Sequence, residues 1–149
     1  WNGGIFGDAA LKIVGKERFD TFYSFCDFIR YGAVLSCSSD IVSIEESDRA
    51  NPFAAMQIAA TRRDPQSCFE ERQPASEKLP VRDMMLGFTI EGAKCMHMEK
   101  EIGSLAKGKK ANFCVLNRNV FEVPVDKLGT IAAVTVVFEG SPVKGGLPY

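Results

Sequence analysis

A chain of 149 residues with 46% hydrophobic and 25% charged side chains has room for one domain with a real core, or for pieces of two, and is not disordered in composition. Its net charge of −1 gives no electrostatic reason to expect nucleic acid or an anionic membrane as a partner. No apolar run approaches the roughly 20 residues of a membrane span, and no basic-then-apolar leader opens the chain.

Residue 1 is Trp, a side chain from in front of which an initiator methionine is rarely removed, so the chain reads as part of a longer protein. Trp1 to Gly7 has three glycines and no period, which predicts a loop. Asp8 to Arg18 is a weak helical segment broken at Gly15. From Phe19 to Tyr31, Phe22, Phe25, Phe28 and Ile29 fall on one face of a predicted helix, an aromatic stripe for packing against a sheet. Gly32 to Cys37 is a short uninterrupted apolar run between a helix and the polar Ser38-Ser39-Asp40, the pattern of a fully buried parallel strand. Helix, glycine, buried strand and polar loop together form the αβ step of an α/β barrel, and Asp40 stands just past that strand's carboxyl end.

Residues 41–50 form an acidic loop (Glu45, Glu46, Asp48) that could rim a site. Asn51-Pro52 starts the next helix, with Asn as N-cap and Pro in the first position; Phe53, Met56 and Ala60 face its core side. Asp64 to Lys78 is a polar loop. A helix is predicted from Val81 to Met98, burying Met85, Phe88, Gly92/Ala93 and Met96. Gly103 suits a positive φ. Ile102–Leu105, the Lys107–Lys110 turn and an Ala111–Leu116 strand read as a tight hairpin. Arg118 to Lys127 is a loop, Ile131 to Phe138 a strand rich in Val and Thr, Glu139-Gly140-Ser141 a turn, and Lys144 to Tyr149 a tail. The abrupt change of period after Met98 marks a seam, which divides the chain into 1–101 and 102–149. The five cysteines, Cys26, Cys37, Cys68, Cys95 and Cys114, are odd in number and have no C-x-x-C spacing. They read as reduced, mostly buried thiols of a cytoplasmic protein.

The runs Thr89-Ile-Glu-Gly-Ala-Lys94 and Glu101-Ile-Gly-Ser-Leu-Ala-Lys-Gly-Lys-Lys-Ala-Asn-Phe-Cys-Val-Leu116 resemble the C-terminal end of metal-dependent hydrolases of the amidohydrolase superfamily. The similarity is greatest to the long-chain branch that includes N-substituted formamide deformylase-like enzymes. Gly15-Lys-Glu-Arg18, Asn51-Pro52, Ala59-Ala-Thr-Arg62 and Phe138-Glu-Gly-Ser-Pro-Val143 fit the same pattern, so the resemblance spans roughly Gly15 to Gly140. Three positions depart from it: Asn112 replaces an acidic residue, Ser38 a glycine and Val42 a proline. The resemblance implies an α/β fold. The chain would be a C-terminal fragment of a TIM-type (β/α)8 barrel (its last strand and flanking helices) over 1–101, then antiparallel strands of a small β-sandwich over 102–149.

By the same resemblance, Asp40 is the catalytic carboxylate after the eighth barrel strand, which contacts the metal site and handles the proton of the hydrolytic water. From the residues alone, an aspartate after a strand is also an ordinary turn-former or helix cap. The implied reaction is hydrolysis of a C–N bond other than a peptide bond, on a small-molecule amide-type substrate, by water activated on a divalent metal, most simply zinc. Such sites need several histidines, and this chain has one, His97, which matches no family ligand and reads as exposed or partly packed. Apart from Asp40, the metal ligands would lie outside this chain, which alone would be inactive. Arg18 could touch a substrate or serve only the surface. Cys37 lies near Asp40 but has no evident base partner, so a nucleophilic role is not supported. A partial barrel leaves an open strand edge, which predicts self-association or pairing with the missing N-terminal part. The competing reading is a non-catalytic remnant or interaction module that kept the barrel's packing.

Overall fold

The computed structural model describes residues 4–41, 44, 50–64 and 74–145. Two helices open it, α1 (Gly4–Val14) and α2 (Lys16–Asp20). Gly15 separates them at a φ of 79°, a conformation that costs a glycine nothing, so the predicted break falls where expected. Helix α1 nevertheless starts inside the stretch predicted as loop. Glycines at a helix end cost less than in its interior, and no other breaker interrupts residues 5–14.

The predicted helix over 19–31 is split. Thr21 Oγ1 donates to the Arg18 carbonyl at 2.7 Å and Ser24 Oγ to the Thr21 carbonyl at 3.1 Å, giving the backbone alternatives to the helical ladder. Tyr23 turns the chain with a φ of 62°, and α3 (Phe25–Arg30) follows. The aromatic rings of Phe19, Phe22, Tyr23 and Phe25 contact one another in succession, with centroids 5.8 to 6.0 Å apart. Phe25 and Ile29 pack against the helical core rather than a sheet, and Phe28 is 59% exposed.

Helix α4 (Pro52–Thr61) is built as its sequence dictates: Asn51 Oδ1 accepts from the Phe53 amide at 3.0 Å and Pro52 takes the first position. Its buried Phe53, Met56, Ala59 and Ala60 join Leu79, Met84, Val120, Leu128 and Ile131 in one cluster, which therefore draws on both sides of residue 101. Two polar side chains fix the join. Asn51 Nδ2 donates to the Gly129 carbonyl at 3.3 Å, and Gln57 Oε1 accepts from the Gly129 amide at 2.8 Å. The 3-10 turn Val125–Thr130 is thereby held on α4 with Leu128 fully buried.

The predicted helix over 81–98 is two helices, α5 (Val81–Gly87) and α6 (Ile90–Cys95). Thr89 Oγ1 donates back to the Met85 carbonyl at 2.6 Å, while the Gly87 carbonyl leaves the ladder to accept from the Cys37 amide at 3.1 Å. Met98 N to Ala93 O and His97 N to Lys94 O, at 2.9 and 3.0 Å, close α6 in a Schellman motif. Gly103, at φ 84°, lies so close to α6 that a Cβ there would come 2.6 Å from that of Ala93.

The sheet has three antiparallel strands in the order β1 (Phe113–Leu116), β2 (Ala133–Phe138) and β3 (Ser141–Lys144). The hairpin predicted across Lys107–Lys110 does not form a ladder: Lys109 Nζ donates to the Ile102 carbonyl and Ser104 Oγ, at 3.2 and 2.7 Å, and holds that segment as a loop. β1 pairs instead with β2, Phe113 opposite Val137. Glu139 and Gly140, at φ 47° and 83°, form the two-residue turn that adds β3, a strand where the sequence predicts only the end of a turn and the start of a tail. The molecule is thus helices with one small antiparallel sheet, and no barrel closes among the described residues. Among the described residues, no helix is long and apolar enough to cross a membrane.

Leu128→Ala is expected to cost about 2–5 kcal/mol by opening a cavity where the two halves meet, and Asn51→Ala about 1 kcal/mol through the lost cap. Urea unfolding followed by circular dichroism measures both; unchanged midpoints would contradict this account of the core.

Candidate functional site

Asp40 sits at the end of the stretch that α3 delivers. Helix α3 closes in a second Schellman motif, Ala33 N to Phe28 O and Gly32 N to Ile29 O, both at 2.9 Å, with Gly32 at φ 84°. From Ala33 to Asp40 the chain has no regular secondary structure and pairs with no strand among the described residues. The buried parallel strand predicted there is therefore not formed: a segment without a ladder partner is held only by what lies under it. Val34 is 59% exposed, while Leu35 and Cys37 are half-buried against the core.

What lies under it is α5. The Cys37 amide donates to the Gly87 carbonyl, and a Cβ on Gly87 would come 2.6 Å from Cys37 Sγ and 3.0 Å from the Leu35 carbonyl. Only a glycine lets the two backbones approach this closely. Asp40 itself is exposed, at φ 47°, a left-handed conformation that aspartate tolerates better than most residues. Its carboxylate makes no hydrogen bond or ion pair with another described residue.

The other candidates are dispersed. His97 occupies the left-handed position that closes α6, at φ 57°, and is exposed; its place is explained by the helix end. Arg18 is exposed on α2, where its carbonyl receives Thr21 Oγ1. Glu45, Glu46, Asp48 and Val42 of the predicted rim lie outside the described residues, as does Cys68. No group of three or more His, Cys, Asp or Glu side chains is placed to hold a metal ion among the described residues.

The sequence reading missed a set of buried charges. Arg62, Asp64 and Glu77 are 1%, 6% and 4% exposed, and charges so deep persist only when paired or hydrogen-bonded. Arg62 ends α4 in a left-handed conformation and donates to the Tyr23 and Phe22 carbonyls at 3.3 and 3.4 Å. Glu77 Oε2 accepts from the Cys26 amide at 2.9 Å, serving the free N-terminus of α3. Together they tie the start of α3, and so the segment that leads to Asp40, to α4. The available signal was a Thr-Arg-Arg-Asp run at a helix end, which resembles a solvated charge cluster.

The described cysteines are free. The expectation that the thiols are mostly buried is corrected: Cys95 and Cys114 are exposed, Cys26 and Cys37 half-buried. Burial pushes the Cys37 thiol above its ordinary range, and burial followed by the Glu77 carboxylate does the same to Cys26. A raised thiol stays protonated to higher pH, the opposite of an activated nucleophile. Iodoacetamide at pH 8 is therefore expected to label Cys95 and Cys114 well before Cys26 and Cys37, with the Cys37 rate rising only at higher pH. Peptide-resolved mass spectrometry reads this, and equal rates at all four would contradict it.

The comparisons with known proteins agree with the sequence resemblance at the level of the family. The model of the family described as "Amidohydrolase family" matches residues 5–144. The putative amidohydrolase YtcJ of Bacillus subtilis is 29% identical over 130 residues, covering 85% of this chain and 23% of that protein. Protein LONG AFTER FAR-RED 3 of Arabidopsis thaliana is 27% identical over 116 residues, 77% of this chain and 19% of that protein. Imidazolonepropionase of Bacteroides thetaiotaomicron is 27% identical over 97 residues, 60% of this chain and 22% of that protein. The chain spans about a fifth of the length of the curated relatives it matches. No solved structure matches it. With a family match that runs from the first helix to the last strand, the chain belongs to the amidohydrolase family.

Proposed function

We propose that this chain is the C-terminal portion of a longer hydrolase that cleaves a C–N bond other than a peptide bond, in a small amide- or formamide-type substrate. The proposal places it in the long-chain, N-substituted formamide deformylase-like branch. Residues 1–101 are assigned to the last part of a (β/α) barrel and 102–149 to strands of an accessory β-sandwich, with the core around Leu128 as their shared interface. The observation that carries this reading is the family match over residues 5–144. Relatives named as an amidohydrolase and as imidazolonepropionase, each matched over less than a quarter of its length, support it.

Asp40 is assigned the proton-handling role. An exposed carboxylate without a hydrogen-bonding or ionic partner among the described residues is free to accept a proton from an attacking water and return it to a leaving nitrogen. The described residues do not fit a resident metal on their own, because one lone carboxylate cannot supply the three or four ligands a hydrolytic zinc requires. A divalent metal, zinc in the first instance, is therefore assigned to the parent protein, with its remaining ligands outside this chain. The unpaired Ala33–Cys37 segment supports pairing with that missing part, or self-association. The unpaired thiols and the absence of a spanning helix among the described residues are compatible with a cytoplasmic location.

In the full-length protein, Asp40→Asn is expected to lower kcat by about 10²–10⁴-fold, the usual contribution of a general acid–base group, with the fold unchanged by circular dichroism. Activity retained in Asp40→Asn, measured as amide or formamide hydrolysis, would sink this assignment and favour a non-catalytic module.

A further inference from the structure

We infer that Gly87 is a positioning residue for Asp40: its contact with Cys37 sets how deeply the segment carrying Asp40 seats on α5, and hence where the carboxylate is presented. This rests on the reading of Asp40 as the proton-handling group. The Cys37 amide to Gly87 carbonyl bond is the one backbone hydrogen bond that fastens residues 34–40 to the rest of the described chain. The same glycine supplies the close approach, since a Cβ there would stand 2.6 Å from Cys37 Sγ and 3.0 Å from the Leu35 carbonyl. The thiol could swing aside, but the Leu35 carbonyl is backbone, so relief requires the segment itself to lift.

Asp40 follows Cys37 by three residues, a tether of at most about 11 Å that carries a displacement of Cys37 on to Asp40. Restoring ordinary contact with the Leu35 carbonyl lifts the segment by a few tenths of an ångström, a fraction of the ~1 Å misplacement that costs about 10²-fold in rate. The break between α5 and α6 serves the same end, because a continuous helix would keep the Gly87 carbonyl inside its own ladder.

The test uses the full-length protein and kcat for amide hydrolysis. Gly87→Ala is expected to lower kcat about five- to tenfold while KM changes little, and to speed iodoacetamide labelling of Cys37. Adding Cys37→Ala, which removes the nearest atom, recovers part of the loss. A purely structural role would give additive effects; positioning through Asp40 predicts that Gly87→Ala causes no further loss in an Asp40→Asn background. If Gly87→Ala does not fold, Cys37→Val presses the same contact from the other side and is expected to lower kcat likewise. The inference is overturned if Gly87→Ala, or Cys37→Val in its place, keeps kcat within about threefold of the parent, or if the loss adds fully to that of Asp40→Asn. An active Asp40→Asn protein would instead remove the underlying reading.

Discussion

The peptide of Gly129 is gripped from both sides by one helix. Asn51 donates to its carbonyl and Gln57 accepts from its amide, and between them Met56 and Leu128 meet with almost no exposed surface. Everything else is arranged around that join. Asn51 also caps α4 with its side-chain oxygen, which accepts from the Phe53 amide, so one side chain starts the helix and anchors the segment that leads into β2. Hydrogen bonds to a peptide inside an apolar cluster are expensive to leave unmade, which fixes the register of the two parts more firmly than packing alone.

A second layer of constraint lies at the far end of α4. Arg62 and Glu77, both buried, attend to backbone groups on either side of the turn into α3, the Phe22 and Tyr23 carbonyls and the Cys26 amide. The aromatic rings that the sequence places at helical spacing are thereby folded back on one another. Helix α3 then ends at Gly32 and releases a segment onto Gly87. A capped helix, buried charges and the close approach at Gly87 in turn position the segment that ends at Asp40.

Local signals with a single physical meaning were legible. Asn51-Pro52 could only start a helix, Gly15 broke one, Gly103 suited a positive φ, and Phe53, Met56 and Ala60 faced the core as their spacing demanded. What misled was continuity. The 3.6-residue period runs unbroken through Phe19–Tyr31 and Val81–Met98, yet Thr21, Ser24 and Thr89 each offer a hydroxyl that diverts the backbone, and the Gly87 carbonyl is claimed by Cys37 from 50 residues away. Strand pairing was equally illegible. Ala111–Leu116 reads as a strand, but whether it pairs with Ile102–Leu105 or with Ala133–Phe138 depends on Lys109, whose ammonium holds the nearer segment in a loop. Asp40 could be nominated from its place after an apolar run and from family resemblance; the seat beneath it could not, because it joins residues distant in sequence.

Under the proposed function, the segment from Ala33 to Asp40 is a barrel strand that waits for neighbours. Among described residues, the amides of Val34, Leu35 and Ser36 have no backbone partner, whereas that of Cys37 does. Hydrogen–deuterium exchange across residues 33–40 compares this chain alone with the full-length protein. Fast exchange at Val34–Ser36 in the chain alone, slowed by orders of magnitude in the full-length protein, is the result expected. Equally fast exchange in both would contradict it, leaving Asp40 at the end of a surface loop with no ring of strands around it.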